Sequence, residues 1–162
     1  MSSLRTTNMR DKRFVVEHRG GPLKKEQHHQ LMTWACSCAE HVIPLVDTKI
    51  DERLPQALQV AKEWIKANAS VGDARKAAVQ AHAVARDLSD PVSIAVARCV
   101  GHAIATAHMA DHSLGAAWYA LKAVKNAGKS LDAERDWQND QLPLEIKHLV
   151  RSARENKKFN RE

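Results

Sequence analysis

At 162 residues the chain has the length of one ordinary domain, and folding at that size buries about two-thirds of the unfolded surface without disulfide or metal staples. Aromatics make up only 4% and alanine supplies much of the 44% apolar content, a mixture that favours helix over sheet. The net charge of +6 sits at the ends: residues 1–25 carry seven Lys/Arg against two Asp/Glu, residues 147–162 six against two, and residues 26–146 twelve against fifteen, whereas a nucleic-acid interface gathers its positive charge on a folded face, so no nucleic-acid partner is expected.

Residues 1–22, with Arg10–Phe14 and the breaker Gly20-Gly21-Pro22, read as a basic arm. From Lys24 to Ile43 the apolar positions Leu31, Ala35, Cys38 and Val42 recur at three and four, predicting a helix with one buried stripe that ends before Pro44. Thr48 and Asp51 resemble a capping box opening a second helix to about Ala69, with Pro55 tolerated near its first turn. Ser70 and Asp73 start a third helix ending near Leu88, and Asp90 before Pro91 starts a fourth that runs to about Met109. A fifth spans Leu114 to Asn126 with Gly128 as its stop, a sixth begins at Ser130, and Pro143 separates it from a seventh carrying Ile146, Leu149 and Val150.

The expected fold is therefore all-α: one helical domain over 23–153, a bundle or short stack of helical hairpins with six to seven helices, followed by a frayed basic tail at 154–162. An offset of 38 residues matches Asp73 with Asp111, Ala78 with Ala116 and Ala85 with Ala123, in keeping with stacked hairpins. Three cysteines without disulfide spacing point to a reducing compartment. The absence of a signal-peptide pattern or of a run of about 18 apolar residues leads to the expectation of a cytoplasmic protein with no membrane partner. Cys36 and Cys38 point about 200° apart on a helix, so they do not converge on one ion; Cys38 joins the apolar stripe and Cys36 turns away. The four tryptophans, one per helix at 34, 64, 118 and 137, read as core anchors.

The residues able to carry chemistry gather in the third to fifth helices. His82 and Arg86 form one i, i+4 pair, Arg98 and His102 another, and His108, Asp111 and His112 follow in one short run. One reading is a divalent metal at His108 and His112, completed by His82 or His102; its counterpart is that these groups cap helix ends, with Asp111 as an N-cap. A second reading makes Arg86, Arg98 and the histidines a pocket for a carboxylate or phosphate; its counterpart is an internal ion-pair network with Asp87, Asp90 or Asp111. Cys99, beside Arg98 and His102, reads as a small core residue ahead of a reactive thiolate. No catalytic residue is assigned.

The segments Arg10–Phe14, Glu17–Pro22, Ala81–Arg86 and above all Gly101–Lys122 resemble the Imm-5 like putative immunity proteins of bacteria, and the likeness extends from about Arg10 to Val150. It implies an all-helical cytoplasmic protein without cofactor that binds a protein partner, a cognate toxin of a polymorphic toxin system, and neutralises it without enzymatic activity. The alternative is a small-molecule- or metal-binding protein built on His82, Arg86, Arg98, His102, His108, Asp111 and His112. The oligomeric state is not legible from these residues.

Overall fold

The computed structural model describes residues 11–155; the remainder of the basic arm (1–10) and of the tail (156–162) lie outside them. Seven α-helices follow in chain order: α1 Lys25–Val42, α2 Arg53–Ile65, α3 Val71–Asp87, α4 Pro91–Ala105, α5 His112–Asn126, α6 Leu131–Asp140 and α7 Leu144–Arg154. The fold is all-α, and the β-type pairing among the described residues is an isolated bridge between Val16 and Leu23. No helix among them is long and apolar enough to cross a membrane.

Local chemistry sets most boundaries. Ser70 Oγ accepts the Asp73 N–H at 3.0 Å while the Asp73 carboxylate accepts the Ser70 N–H at 2.9 Å, a reciprocal cap that starts α3. Asp90 accepts the Ser93 N–H at 3.0 Å with Pro91 at the first helical position of α4, and Ser130 caps α6 in the same way. Gly128, at φ +73, supplies the left-handed stop after α5.

Three boundaries differ from the sequence expectation, one of them the end of α2 at Ile65, four residues short of Ala69. Helix α2 opens at Arg53 instead of Thr48, because the Asp51 carboxylate takes both the Arg53 N–H at 2.9 Å and its guanidinium at 2.8 Å. Helix α4 stops at Ala105, four residues short of Met109: the N–H groups of Thr106, Ala107 and His108 bond three residues back instead of four, tightening the chain into a turn.

Helices α2 to α5 pack each on the next, α1 lies across α4 and α5 and touches α2, α6 rests on α5, and α7 on α1. Alanines 78, 81 and 85 of α3, 97 and 103 of α4, and 116, 117 and 120 of α5 are buried along these contacts, which lets the backbones come close. Because α1 is enclosed on several sides, nine of its eighteen residues are buried, and Cys36, expected to turn away from the core, is buried together with Cys38.

The described part of the arm is folded against the body as two one-turn 3-10 helices, Lys12–Phe14 and Glu17–Arg19. Phe14 is buried, and Arg13 Nη1 donates to Ser152 Oγ at 2.7 Å. Gly20 turns the chain at φ +88, and Gly21 passes so close to Val15 that a Cβ there would stand 2.0 Å from the Val15 carbonyl oxygen. Arg154, placed by sequence at the head of a frayed tail, is the last residue of α7: its guanidinium donates to Asn139 Oδ1 at 3.0 Å and to Gln138 Oε1 at 2.5 Å, and lies over the Trp34 ring. Burial pushes its pKa down to about 10.

Candidate functional site

Four of the seven residues singled out from sequence form a connected array of imidazoles. His82 on α3 meets His102 on α4 edge to face, with ring centroids 5.4 Å apart; His102 lies 5.3 Å from His112, the first residue of α5; His112 lies 5.2 Å from His108 on the α4–α5 connection. Tyr119 of α5 stacks on His102 at 5.1 Å. Glycine makes room for the rings. A Cβ on Gly101 would stand 2.6 Å from the His82 ring, and one on Gly115 2.7 Å from Nδ1 of His102, so each imidazole occupies the space of a missing side chain on the next helix.

His102 Nδ1 and His112 Nδ1 are 3.2 Å apart, which requires one ring to donate its N–H to the bare nitrogen of the other. Charging both rings would place two donors face to face. Burial, followed by His112, His82 and Arg98, accordingly pushes the pKa of His102 down to about 4. Burial, with Arg98 and Arg86 nearby, also lowers that of His82.

Among the described residues the two arginines are not paired with an acid. Asp87 lies 3.9 Å from Arg53, and Asp90 is held by Ser93, so neither forms the internal network weighed for Arg86 and Arg98; among the described residues neither guanidinium makes an ion pair. Arg86 is exposed and Arg98 half-buried. Asp111 stands at the N-cap position of α5 without a capping hydrogen bond from its side chain to the helix.

The metal reading fares less well. Zinc ligands lie about 2.0–2.1 Å from one centre, whereas the imidazoles string out from helix to helix, and no three His, Cys, Asp or Glu among the described residues form a group able to hold an ion. His108 and His112 do not share a helical face either, since α4 ends before His108. Cys99 is fully buried, its thiol donating to the Ala116 carbonyl at 3.1 Å, and desolvation raises its pKa well above the ordinary thiol value. It is a core residue.

Sequence reasoning did not locate a cleft of about 740 Å³, which lies where the arm, the start of α1, the end of α2 and the α4–α5 connection meet. Phe14, Leu23, Trp64 and Ile65 give it an apolar floor, and His28, His29 and His108 supply imidazoles. His108 and Asp111 thus line the cleft, while His82, Arg86, Arg98, His102 and His112 do not. The signal available was the adjacent pair His28-His29 next to the Glu17–Pro22 motif. Of the four tryptophans only Trp34 is a buried anchor; Trp64 meets His28 and His29 edge-on, Trp137 stacks on His41 at 3.5 Å, and Trp118 lies against Tyr119 and beneath Lys122.

The imidazole array, most of the cleft and α1 to α6 all fall within residues 21–145, the stretch that a family model described as Imm-5 like putative immunity protein matches. The chain belongs to that family. No curated protein and no solved structure matches it. For this Imm-5 like chain, membership places the array and the cleft inside the part common to the family model, with residues 11–20 adding a wall to the cleft from outside it.

Proposed function

We propose that this protein is a cytoplasmic immunity-type protein that binds a protein toxin and neutralises it non-covalently, without catalysis or cofactor, through the face formed by α3, α4 and α5. The observation that carries this reading, beside the family, is a cationic and aromatic surface. Arg75, Val79, His82 and Arg86 recur at i, i+4, i+7 and i+11 and share one flank of α3. Arg98 and His102 continue the surface on α4, and Tyr119, Trp118 and Lys122 on α5, linked by the ring contacts described above.

Val79 is 64% exposed at its edge, an apolar side chain set between Arg75 and Arg86. Two carboxylates of these helix starts are engaged in caps, Asp73 with Ser70 and Asp90 with Ser93, while Asp87 at the end of α3 lies 3.9 Å from Arg53 and stays largely exposed. Aromatic and Arg side chains dominate binding at protein interfaces, and charge complementarity selects the partner. The face therefore suits an acidic surface on the toxin, although residues 26–146 are net acidic as a whole.

Co-expression with a candidate cognate toxin tests the reading. Growth should be protected and a stable complex recovered, and Arg98→Glu or Val79→Asp should weaken the complex at least tenfold while leaving the helical spectrum unchanged. A toxin whose activity is untouched by co-expression would overturn it. The second reading is a small-molecule or metal site at His82, Arg86, Arg98, His102, His108, Asp111 and His112, the spread of the imidazoles favouring its small-molecule form over a metal; metal analysis of protein purified without a His tag, and loss of any bound ion in His102→Gln, distinguish it from the first.

A further inference from the structure

We propose that the cleft between the arm and the helical body is a binding site for a small heteroaromatic molecule. The inference is independent of toxin docking, because the cleft residues and the α3–α5 face share none of the side chains used in either argument. At about 740 Å³ the cleft falls within the roughly 300–1,000 Å³ of small-ligand sites.

Its walls are built for the purpose. The arm segment that closes it is held by the Gly20 turn, by the close approach of Gly21 to Val15, and by hydrogen bonds from Leu23 N to Val15 O and from Glu17 N to Leu23 O, each 3.0 Å. Ala67, in the left-handed conformation at φ +64 that ends α2, also lines the cleft.

The chemistry of the lining selects the ligand. Phe14, Leu23, Trp64 and Ile65 offer flat or branched apolar surface to a ring. His28 is already committed through Nε2 to the Thr106 carbonyl at 2.6 Å and holds the wall in place. His29 is half-buried, its ring fixed edge-on to Trp64 at 5.1 Å. Burial foremost, with Lys25 beside it, lowers the pKa of His29, so the ring is neutral at pH 7 and presents one donor and one acceptor. A neutral imidazole above an apolar floor matches a ring that carries its own N–H or ring nitrogen, as in an indole or a purine.

Titration of the full chain with indole, adenine and the nitrogen-free isostere indene, followed by calorimetry and by chemical shifts of the Trp64 indole N–H, tests the proposal. Indole or adenine should bind saturably and shift the Trp64 signal, with indene at least tenfold weaker. His29→Leu should remove that discrimination, and Val71→Trp, an exposed cleft-lining position filled from the rim, should abolish binding while thermal unfolding stays unchanged. The inference is overturned if neither heterocycle saturates below its solubility limit, if indene binds as well as indole, or if Val71→Trp binds like the parent chain.

Discussion

The seating of imidazoles on glycines makes stability at Gly101 conditional on its neighbour. Alanine in a helix interior ordinarily gains about 0.5–1 kcal/mol over glycine, but here the new methyl would meet the His82 ring at 2.6 Å, and overpacking costs about 1–3 kcal/mol. Gly101→Ala should therefore destabilise the protein, and the same substitution in a His82→Ala background should stabilise it; chemical denaturation of the four proteins gives the sign directly. His102 makes a second residue-scale prediction. Its folded pKa of about 4 lies below the ordinary 6.5, so the unfolded chain takes up the proton first. The contribution is fully present above about pH 6.5 and is lost as pH falls towards 4, to an extent of up to about 3 kcal/mol. Urea unfolding at pH 7 and pH 4.5 should show a larger drop for the parent than for His102→Gln.

At the scale of single elements, α2 ends on Ala67 in a left-handed conformation, with the Asn68 N–H returning to the Glu63 carbonyl at 2.8 Å. Glycine carries no Cβ penalty there, and Ala67→Gly is expected to raise stability by about 0.5–1 kcal/mol in thermal or urea unfolding. Helix α7 is held by Arg154, whose hydrogen bonds to Gln138 and Asn139 link it to α6, while Gln138 Nε2 reaches the Ala117 carbonyl of α5 at 3.2 Å. Arg154→Ala strands the Gln138 oxygen in the interior and should cost about 1–3 kcal/mol. Exchange of α6 and α7 amides should rise more than that of α4, which would separate loss of this link from global unfolding.

For the molecule as a whole, the twelve basic and fifteen acidic residues of 26–146 are sorted by helical periodicity. Arg75 and Arg86 share one side of α3, while Asp73 and Asp90 are spent on helix caps. Association with an acidic partner through that side should slow markedly between 50 and 500 mM salt, with dissociation much less affected, as stopped-flow or surface-binding kinetics would record. A salt-independent association rate would count against the α3–α5 face as the docking surface.

Much of this was legible in the residues. Ser70, Asp90, Pro91, Ser130 and Gly128 act within a few positions of themselves, so helix number and several boundaries follow from local hydrogen bonding and fixed backbone angles. The all-α class follows likewise from alanine content and apolar spacing, and the proximity of His82, His102, His108 and His112 was approached through their i, i+4 pairs. What only the tertiary structure decided are relations between residues far apart in the chain. Enclosure of α1 put Cys36 in the core, Gly101 and Gly115 seated rings from neighbouring helices, and the arm folded over His28, His29 and Trp64 to form the cleft. The end of α4 at Ala105 belongs with these, since the Thr106 carbonyl exposed by the turn is taken by His28, 78 residues away. Capping and periodicity are settled by energies within one turn of helix, whereas ring seating, burial and cleft formation depend on which surfaces meet, and that choice is made by packing the whole chain at once.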